Sequence, residues 1–236
     1  MASVHEFAVW PEPGSPVSMV SFARELRALA SASLAPPPFP DDAAKGAGQP
    51  IIVLPGFCAP EFSTARLRHF LKRQGFAVKS WNCGTNYGPT RTAFGYFERR
   101  LEDTCARHGR KVSLIGLSLG GTMAREMAKR RPECVARIVT LGSPIRIPVP
   151  SPLAPIAQFA AWSWEPRIRA AFGSVADPPP VPVTAVVSPI DGVVDWRSCV
   201  AATAPGVETV TIRSHHMTMG SDPAVQRLVA SRLAAA

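Results

Sequence analysis

Short apolar runs alternate along this chain with longer segments in which apolar residues recur every three or four positions. The short runs predict buried β-strands, and the longer segments predict amphipathic helices. Because strand and helix alternate, the pattern is typical of an α/β fold: a mostly parallel sheet with helices on both faces. The expected strands cover residues 50–54, 76–81, 135–141, 183–188 and 207–212, and the expected helices cover residues 17–35, 63–74, 91–108 and 223–235.

One further predicted strand and helix flank a short turn, Gly-Leu-Ser-Leu-Gly, at residues 116–120. A Gly-x-Ser-x-Gly turn between a strand and a helix can lift a serine hydroxyl clear of the sheet as a nucleophile. Gly116 and Gly120 leave room where a Cβ would meet the neighbouring strand or helix. The following helix points its N-terminus and its free N–H groups at Ser118. Taken alone, the turn is also compatible with a purely structural role.

A second turn of interest follows the first predicted strand. Residues 50–54 run directly into Pro55, Gly56 and Phe57. In enzymes with a serine nucleophile, a glycine turn at this place aims a backbone N–H back over the hydroxyl, where it can stabilise an oxyanion. Phe57 is the candidate for this N–H, and an ordinary glycine at a strand end is the alternative.

A nucleophilic serine needs a base, and the base needs an orienting carboxylate. On a sheet of this kind the expected chain order is serine, acid, histidine. Asp191 and Asp195 both follow a predicted strand, and Asp191 is favoured because it lies nearer the strand end and precedes a glycine. His215 and His216 both follow the last strand, and spacing alone does not separate them.

Composition narrows the class of protein. The 236 residues, 46% of them hydrophobic and 18% charged, predict one globular domain. No apolar run suits a transmembrane helix, and the N-terminus lacks the features of a secretory signal. Five dispersed cysteines without a Cys-x-x-Cys pair favour free thiols in a reducing cytoplasm over a zinc site. The net charge of +9 is spread along the chain without a nucleic-acid-binding motif, so we interpret it as solvated surface charge.

Two segments depart from the alternation. Residues 1–49 are expected to form a Pro-rich arm and then a helix that packs on the domain or faces a partner. The apolar stripe of that helix consists of Met19, Phe22, Leu26, Leu29 and Ala30. Residues 145–182 are rich in proline and aromatic residues, and we interpret them as a lid above the serine turn rather than a structural excursion. Trp162 and Trp164 are the candidate substrate-binding side chains of this segment.

From about residue 50 onward, the sequence resembles the α/β-hydrolase superfamily, on the side of the bacterial lipases and carboxylesterases. Five stretches carry the resemblance: residues 51–57, where Pro55 stands in place of the more usual histidine, and residues 116–121, 139–144, 188–194 and 214–223. The last stretch resembles the ending Gly-Ser-His-x-Gly-x-Gly-x-Asn-Pro. That alignment places His216 on the histidine of the superfamily and His215 on the preceding serine.

The resemblance implies one α/β-hydrolase domain over residues 1–236, acting as a serine hydrolase on carboxylic esters through an acyl-enzyme. In this mechanism Ser118 is the nucleophile, His216 the base and Asp191 the orienting acid, and the N–H groups of Phe57 and Leu119 bind the oxyanion. It requires neither a cofactor nor a metal ion.

The scarcity of charge near the serine favours a small-molecule ester with an apolar acyl group. No nucleic-acid partner and no integral membrane segment are expected. An acyltransferase or thioesterase with the same triad, and a catalytically silent binding domain, are the alternatives.

Overall fold

Six parallel strands form one central sheet. The structure, a computed structural model, describes residues 17–145, 151–152 and 176–235. The strands are β1 (Pro50–Leu54), β2 (Ala77–Ser80), β3 (Val112–Leu117), β4 (Val135–Leu141), β5 (Val183–Val187) and β6 (Val207–Thr211). Their spatial order is β2-β1-β3-β4-β5-β6, and every neighbouring pair is parallel. The predicted α/β class is confirmed. Because the six strands are parallel, the loops that follow them all lie at the carboxyl edge of the sheet. Strand β3 lies between β1 and β4.

Helices cover both faces of this sheet. They are α1 (Met19–Leu34), α2 (Ala65–Arg73), α3 (Arg91–His108), α4 (Leu119–Arg130) and α5 (Pro223–Ala234). The caps explain why α3 matches its predicted bounds: the Thr90 side chain accepts from the N–H of Ala93, and Gly109 ends the helix in the left-handed region. Within the described ranges, no helix is both long and apolar enough to cross a bilayer.

The core consists of two apolar layers, one on each face of the sheet. Alternate residues of β1 point into different layers, as the two-residue period of a strand requires. The first layer packs β1 and β3 against α3 and α4 through Phe94, Phe97, Leu101, Met123 and Met127, among others. The second packs the other side against α2 and α5 through Leu67, Phe70, Leu71, Val225 and Val229, among others.

Two predicted elements differ slightly from the observed ones. The helix expected over residues 63–74 begins as a 3₁₀ turn, Glu61–Thr64, and becomes α-helical only at Ala65. The strand expected over residues 76–81 pairs only over Ala77–Ser80. The arm at residues 1–16, and most of the segment interpreted as a lid, with Trp162 and Trp164, lie outside the described residues.

Helix α1 forms where it was predicted but presents a different face to the domain. Ser18 caps it by accepting from the N–H of Ser21. Four residues of the predicted apolar stripe are exposed instead: Met19 (70%), Leu26 (48%), Leu29 (41%) and Ala30. The side chain of Glu25 is the one that is completely buried. A polar residue, rather than the apolar stripe, is therefore the one that this helix turns toward the domain.

Candidate active site

Ser118 occupies the turn between β3 and α4. Its backbone has φ of 50° and ψ of −126°, a combination that costs a non-glycine residue conformational energy. A Cβ at Gly116 would collide with the backbone of Gly121, and one at Gly120 would lie 2.5 Å from the carbonyl oxygen of Pro55. The two flanking glycines are therefore needed for close packing, as the sequence predicted. The strained backbone holds Ser118 at the N-terminus of α4, where the first N–H groups have no intrahelical acceptor.

The turn after β1 lies directly against this serine. A Cβ placed on Gly56 would be 3.2 Å from the Cβ of Ser118. Phe57, the next residue, belongs to a tight turn in which the N–H of Ala59 donates to the carbonyl of Gly56 at 3.1 Å. Phe57 follows Gly56, and Leu119 follows Ser118, so both residues predicted to donate an N–H belong to backbone that adjoins the serine.

Asn86, which the sequence analysis did not single out, holds that turn in place. This fully buried residue donates from Nδ2 to the carbonyl of Pro55 at 2.7 Å. Its own carbonyl accepts from the N–H of Cys58 at 2.8 Å, and its N–H donates to the carbonyl of Ala59 at 3.1 Å. An asparagine in a glycine-rich loop looks like any turn residue, so the sequence carried no signal for this role.

The structure brings Asp191 and His216 together. Nδ1 of His216 lies 2.6 Å from Oδ2 of Asp191, and because an ionised carboxylate only accepts hydrogen bonds, the imidazole is the donor. The other carboxylate oxygen, Oδ1, accepts from the N–H groups of Val193 and Val194 at 2.9 and 2.8 Å. Both oxygens of Asp191 are therefore engaged, which fixes its orientation toward the imidazole.

Residues 141 and 142, at the end of β4, connect this pair with the serine. The N–H of Ser118 donates to the carbonyl of Leu141 at 2.8 Å. At the next residue, Gly142, an added Cβ would lie 2.9 Å from Nδ1 of His216 and 3.1 Å from Oδ2 of Asp191. Ser118 and the acid–imidazole pair therefore flank the same two residues, and the three side chains share the carboxyl edge of the sheet.

The charges around His216 favour its protonated form. Burial by itself lowers the pKa of His216, but the charge and hydrogen bond of Asp191, together with the charge of Glu25, outweigh it. The pKa of His216 is therefore raised above its ordinary value. An imidazole that binds a proton readily is suited to accept one from a hydroxyl.

Asp195 and His215, the alternative candidates for the acid and the base, make different contacts. Asp195 caps a 3₁₀ helix, Trp196–Cys199, by accepting from the N–H of Arg197 at 3.0 Å, and the same carboxylate pairs with the Arg197 guanidinium at 3.6 Å. The imidazole of His215 is one-third exposed, and its Nδ1 lies 3.5 Å from a carboxylate oxygen of Glu25. The structure thus brings Asp191 rather than Asp195, and His216 rather than His215, into the pair.

Replacing Gly142 by alanine is expected to lower kcat/KM by about 100-fold, because displacing an oriented group by about 1 Å can cost that much. The new Cβ would force the imidazole of His216 away from its present position, and the φ of +56° adds backbone strain of about 1–2 kcal/mol. Steady-state kinetics and a thermal melt of the purified variant measure the two effects.

Gly109→Ala is the matched control for this variant. Gly109 has φ of +61°, but no atom lies within 4 Å of its added Cβ. It should therefore lose similar stability while kcat/KM stays close to that of the wild type. Equal kinetic losses in the two variants would contradict the role given to the space at Gly142.

In the described part of the chain, no group of three or more histidine, cysteine, aspartate or glutamate side chains is arranged so that it could hold a metal ion. All five cysteines are free. Burial raises the pKa of the Cys83 thiol to about 11.

Comparisons with known proteins identify the family and the fold. A sequence model described as the alpha/beta hydrolase family matches residues 51–236. No curated protein sequence matches the chain. Among solved structures, a monoacylglycerol lipase from Paleococcus ferrophilus superimposes with a TM-score of 0.59 at 14% identity, covering 82% of this chain and 96% of that one.

Two other solved structures show the same architecture. Naproxen esterase from Bacillus subtilis has a TM-score of 0.52 at 16% identity, over 94% of this chain and 99% of that one. Aspergillus fumigatus lipase B has a TM-score of 0.57 at 16% identity, over 83% of this chain; the match spans only 55% of the fungal lipase. At these identities the likeness establishes the fold, and the family model covers most of the sequence. The chain therefore belongs to the alpha/beta hydrolase family.

Proposed function

We propose that this hydrolase cleaves carboxylic esters with Ser118 as nucleophile, His216 as general base and Asp191 as the orienting acid. The observation that carries the proposal is the 2.6 Å contact between His216 and Asp191, beside a serine held in a strained strand-to-helix turn. Such a constellation activates a hydroxyl that is otherwise a weak nucleophile at neutral pH.

The reaction proceeds in two halves. Ser118 Oγ attacks the ester carbonyl while Nε2 of His216 takes the hydroxyl proton, and the imidazolium then gives that proton to the leaving alcohol. Water, deprotonated by the same imidazole, attacks the acyl-enzyme, and the acid product leaves as Ser118 regains its proton. Asp191 keeps the proton of Nδ1 directed toward itself, so that Nε2 is free to accept.

The developing oxyanion would be bound by the backbone N–H groups of Phe57 and Leu119. Leu119 is the first residue of α4, so its N–H has no intrahelical acceptor. The turn that contains Phe57 is fixed by the contacts of Asn86, which keeps this donor in place before the substrate arrives. Preorganised donors of this kind contribute on the order of 3 kcal/mol each to transition-state stabilisation.

We assign the substrate to small-molecule esters with an uncharged, apolar acyl group. Three neighbours with this fold are described as lipases or an esterase, which fits the assignment. The residues next to the serine in the two turns support it, because Leu117, Leu119 and Phe57 are apolar and carry no charge. All five cysteines are free, as expected in a reducing compartment, so we place the enzyme in the cytoplasm.

The test combines turnover with covalent labelling. Wild-type protein is expected to hydrolyse p-nitrophenyl esters and to lose activity after one equivalent of a fluorophosphonate, with the phosphonyl adduct located on Ser118 by peptide mass spectrometry. Ser118→Ala should form no adduct at this peptide. A wild-type protein that neither turns over any ester from acetate to palmitate nor forms the adduct would overturn the proposal.

An added alcohol separates hydrolysis from transfer. In the presence of a primary alcohol, a hydrolase should release mainly the free acid, because water reaches the acyl-enzyme. A product mixture dominated by the new ester would assign the protein to the acyltransferases, with Ser118 in the same role.

A further inference from the structure

Glu25 is a buried carboxylate that the mechanism above leaves without a role. It lies on α1, ahead of residues 51–236 that match the family model, and its side chain is completely shielded from solvent. Burying a charged carboxylate is costly unless hydrogen bonds replace those it made with water. Within the part of the chain that the structure describes, its partners are backbone N–H groups and one histidine, not a lysine or an arginine.

Three backbone N–H groups converge on this carboxylate, and they come from two separate loops. Oε1 accepts from Gly192 at 2.8 Å and from His216 at 3.0 Å, and Oε2 accepts from Met217 at 3.0 Å. Gly192 is the residue directly after Asp191. One side chain therefore joins the backbone that carries the acid to the backbone that carries the imidazole.

The close approach of α1 supports the same conclusion independently. A Cβ added at Gly192 would collide with the carbonyl oxygen of Ser21 and lie 2.7 Å from Cγ of Glu25. The acid loop thus has a glycine where this helix reaches it. Phe22 packs nearby, against the small apolar cluster that contains Val193 and Val194. Helix α1 is seated on the two loops through these contacts, while Met19, Leu26 and Leu29 of the same helix stay exposed.

We propose that Glu25 is a positioning residue of the active site, which sets the spacing of Asp191 and His216 by holding both of their loops and places a second negative charge beside the imidazole. The proposal rests on the function proposed above for the triad. Hydrogen bonds to an ionised acceptor are stronger than neutral ones, so three of them restrain two loops whose sequence separation from Glu25 is 167 to 192 residues.

The charged groups around His216 come from two sides. Asp191 accepts from the imidazole from the loop after β5. Glu25, on α1, accepts from the backbone N–H of His216, and its charge acts on the imidazole from there. His215, the preceding residue, contacts the same Glu25 carboxylate at 3.5 Å. Because Glu25 contributes to raising the pKa of His216, removing its charge should lower that pKa. The base form of His216 would then persist to lower pH, and the acidic limb of kcat/KM would shift in that direction.

Glu25→Gln is the principal test. Glutamine keeps one carbonyl acceptor but turns its NH₂ toward a backbone N–H, so the variant loses the charge and at least one hydrogen bond. We expect kcat to fall roughly 10- to 100-fold, with KM changed less than about threefold, since the loops lose their spacing and the substrate contacts remain. The acidic limb of the pH profile should move to lower pH.

Two further variants separate charge from position. Glu25→Asp keeps the negative charge on a shorter side chain, so its acidic limb should stay near that of the wild type while kcat falls. Glu133→Gln removes the same charge from an exposed residue that pairs at 3.9 Å with Arg131, and it should match the wild type in both respects.

An NMR titration of the His216 imidazole supplies a readout that needs no turnover. If the wild type hydrolyses no ester, the proposed function fails, while a lowered His216 pKa in Glu25→Gln would still support the coupling. A folded Glu25→Gln with the kcat and His216 pKa of the wild type would overturn the inference. If Glu25→Gln does not fold, a Glu25→Asp variant with the kcat of the wild type would also overturn the inference. If neither variant folds, Glu25 would be assigned to stability alone.

Discussion

His216→Ala is expected to lower kcat/KM for a p-nitrophenyl ester by about 10⁶-fold, whereas His215→Ala should lower it by less than about threefold. The physical reason is the position of each ring. Nδ1 of His216 donates to Asp191 at 2.6 Å. The ring also packs closely against Gly142, the residue after Leu141, whose carbonyl accepts from the N–H of Ser118. The ring of His215 is one-third exposed, and its Nδ1 lies 3.5 Å from the Glu25 carboxylate.

The adjacent histidine makes an internal control for this experiment. Both variants remove one imidazole from the same loop, so a general loss of loop structure would affect them equally. Burst kinetics with a p-nitrophenyl ester add a second readout, because His216→Ala should lose the fast acylation phase as well as steady-state turnover. Comparable activity in the two variants, or a larger loss in His215→Ala, would contradict the assignment of His216 as the base.

Hydrophobic periodicity was sufficient to predict the sheet and most of the helices. β1 was predicted at its observed bounds, because its apolar run is too short for a helix and is followed at once by Pro55 and Gly56. α3 was equally well predicted, since Thr90 and Gly109 mark its two ends by side-chain capping and by a left-handed backbone. In both cases the interactions that set the ends of the element are made by residues close in sequence, so they can be predicted from it.

The orientation of α1 could not be predicted in this way. The apolar stripe indicated one inward face, but the buried residue is Glu25, whose partners lie at least 167 residues further along the chain. Periodicity describes which residues share a helix face and not which buried hydrogen-bond donors a distant loop presents. Three backbone N–H groups compensate the burial of the carboxylate and hold this helix against the site.

For the candidate site, the sequence supplied residue types and chain order, favoured Asp191 by its place at the strand end, and favoured His216 through the family resemblance. Spacing alone left His215 and His216 equal, and the structure adds the contact of His216 with Asp191. Asn86 was missed for a related reason. Its role depends on two backbone hydrogen bonds and one side-chain hydrogen bond to the turn that contains Phe57, and the side-chain bond spans 31 residues of sequence.

Asp191→Asn is expected to reduce kcat/KM by about 10⁴-fold with little change in fold. Asparagine has the same shape, and its carbonyl oxygen can still accept from Val193 and Val194, as Oδ1 of Asp191 does now. The amide NH₂ then faces His216, so Nδ1 must become the acceptor and the ring proton must move to Nε2. An imidazole protonated at Nε2 cannot take the proton of Ser118, and the loss is therefore one of tautomer rather than of structure.

Asp195→Asn is the matched control, because it makes the same substitution four residues away in the same loop. Asparagine is as good a cap as aspartate, so the N–H of Arg197 keeps its acceptor, and the 3.6 Å ion pair with the partly exposed Arg197 side chain contributes little. Its kcat/KM should stay within about threefold of the wild type. Kinetics and thermal melts of both variants make the comparison, with NMR of the His216 ring to report the tautomer. If Asp195→Asn lost activity and Asp191→Asn did not, Asp195 rather than Asp191 would be the carboxylate that orients His216. If Asp191→Asn kept wild-type activity, the base would not depend on this carboxylate for its tautomer, and the 2.6 Å contact would be structural only.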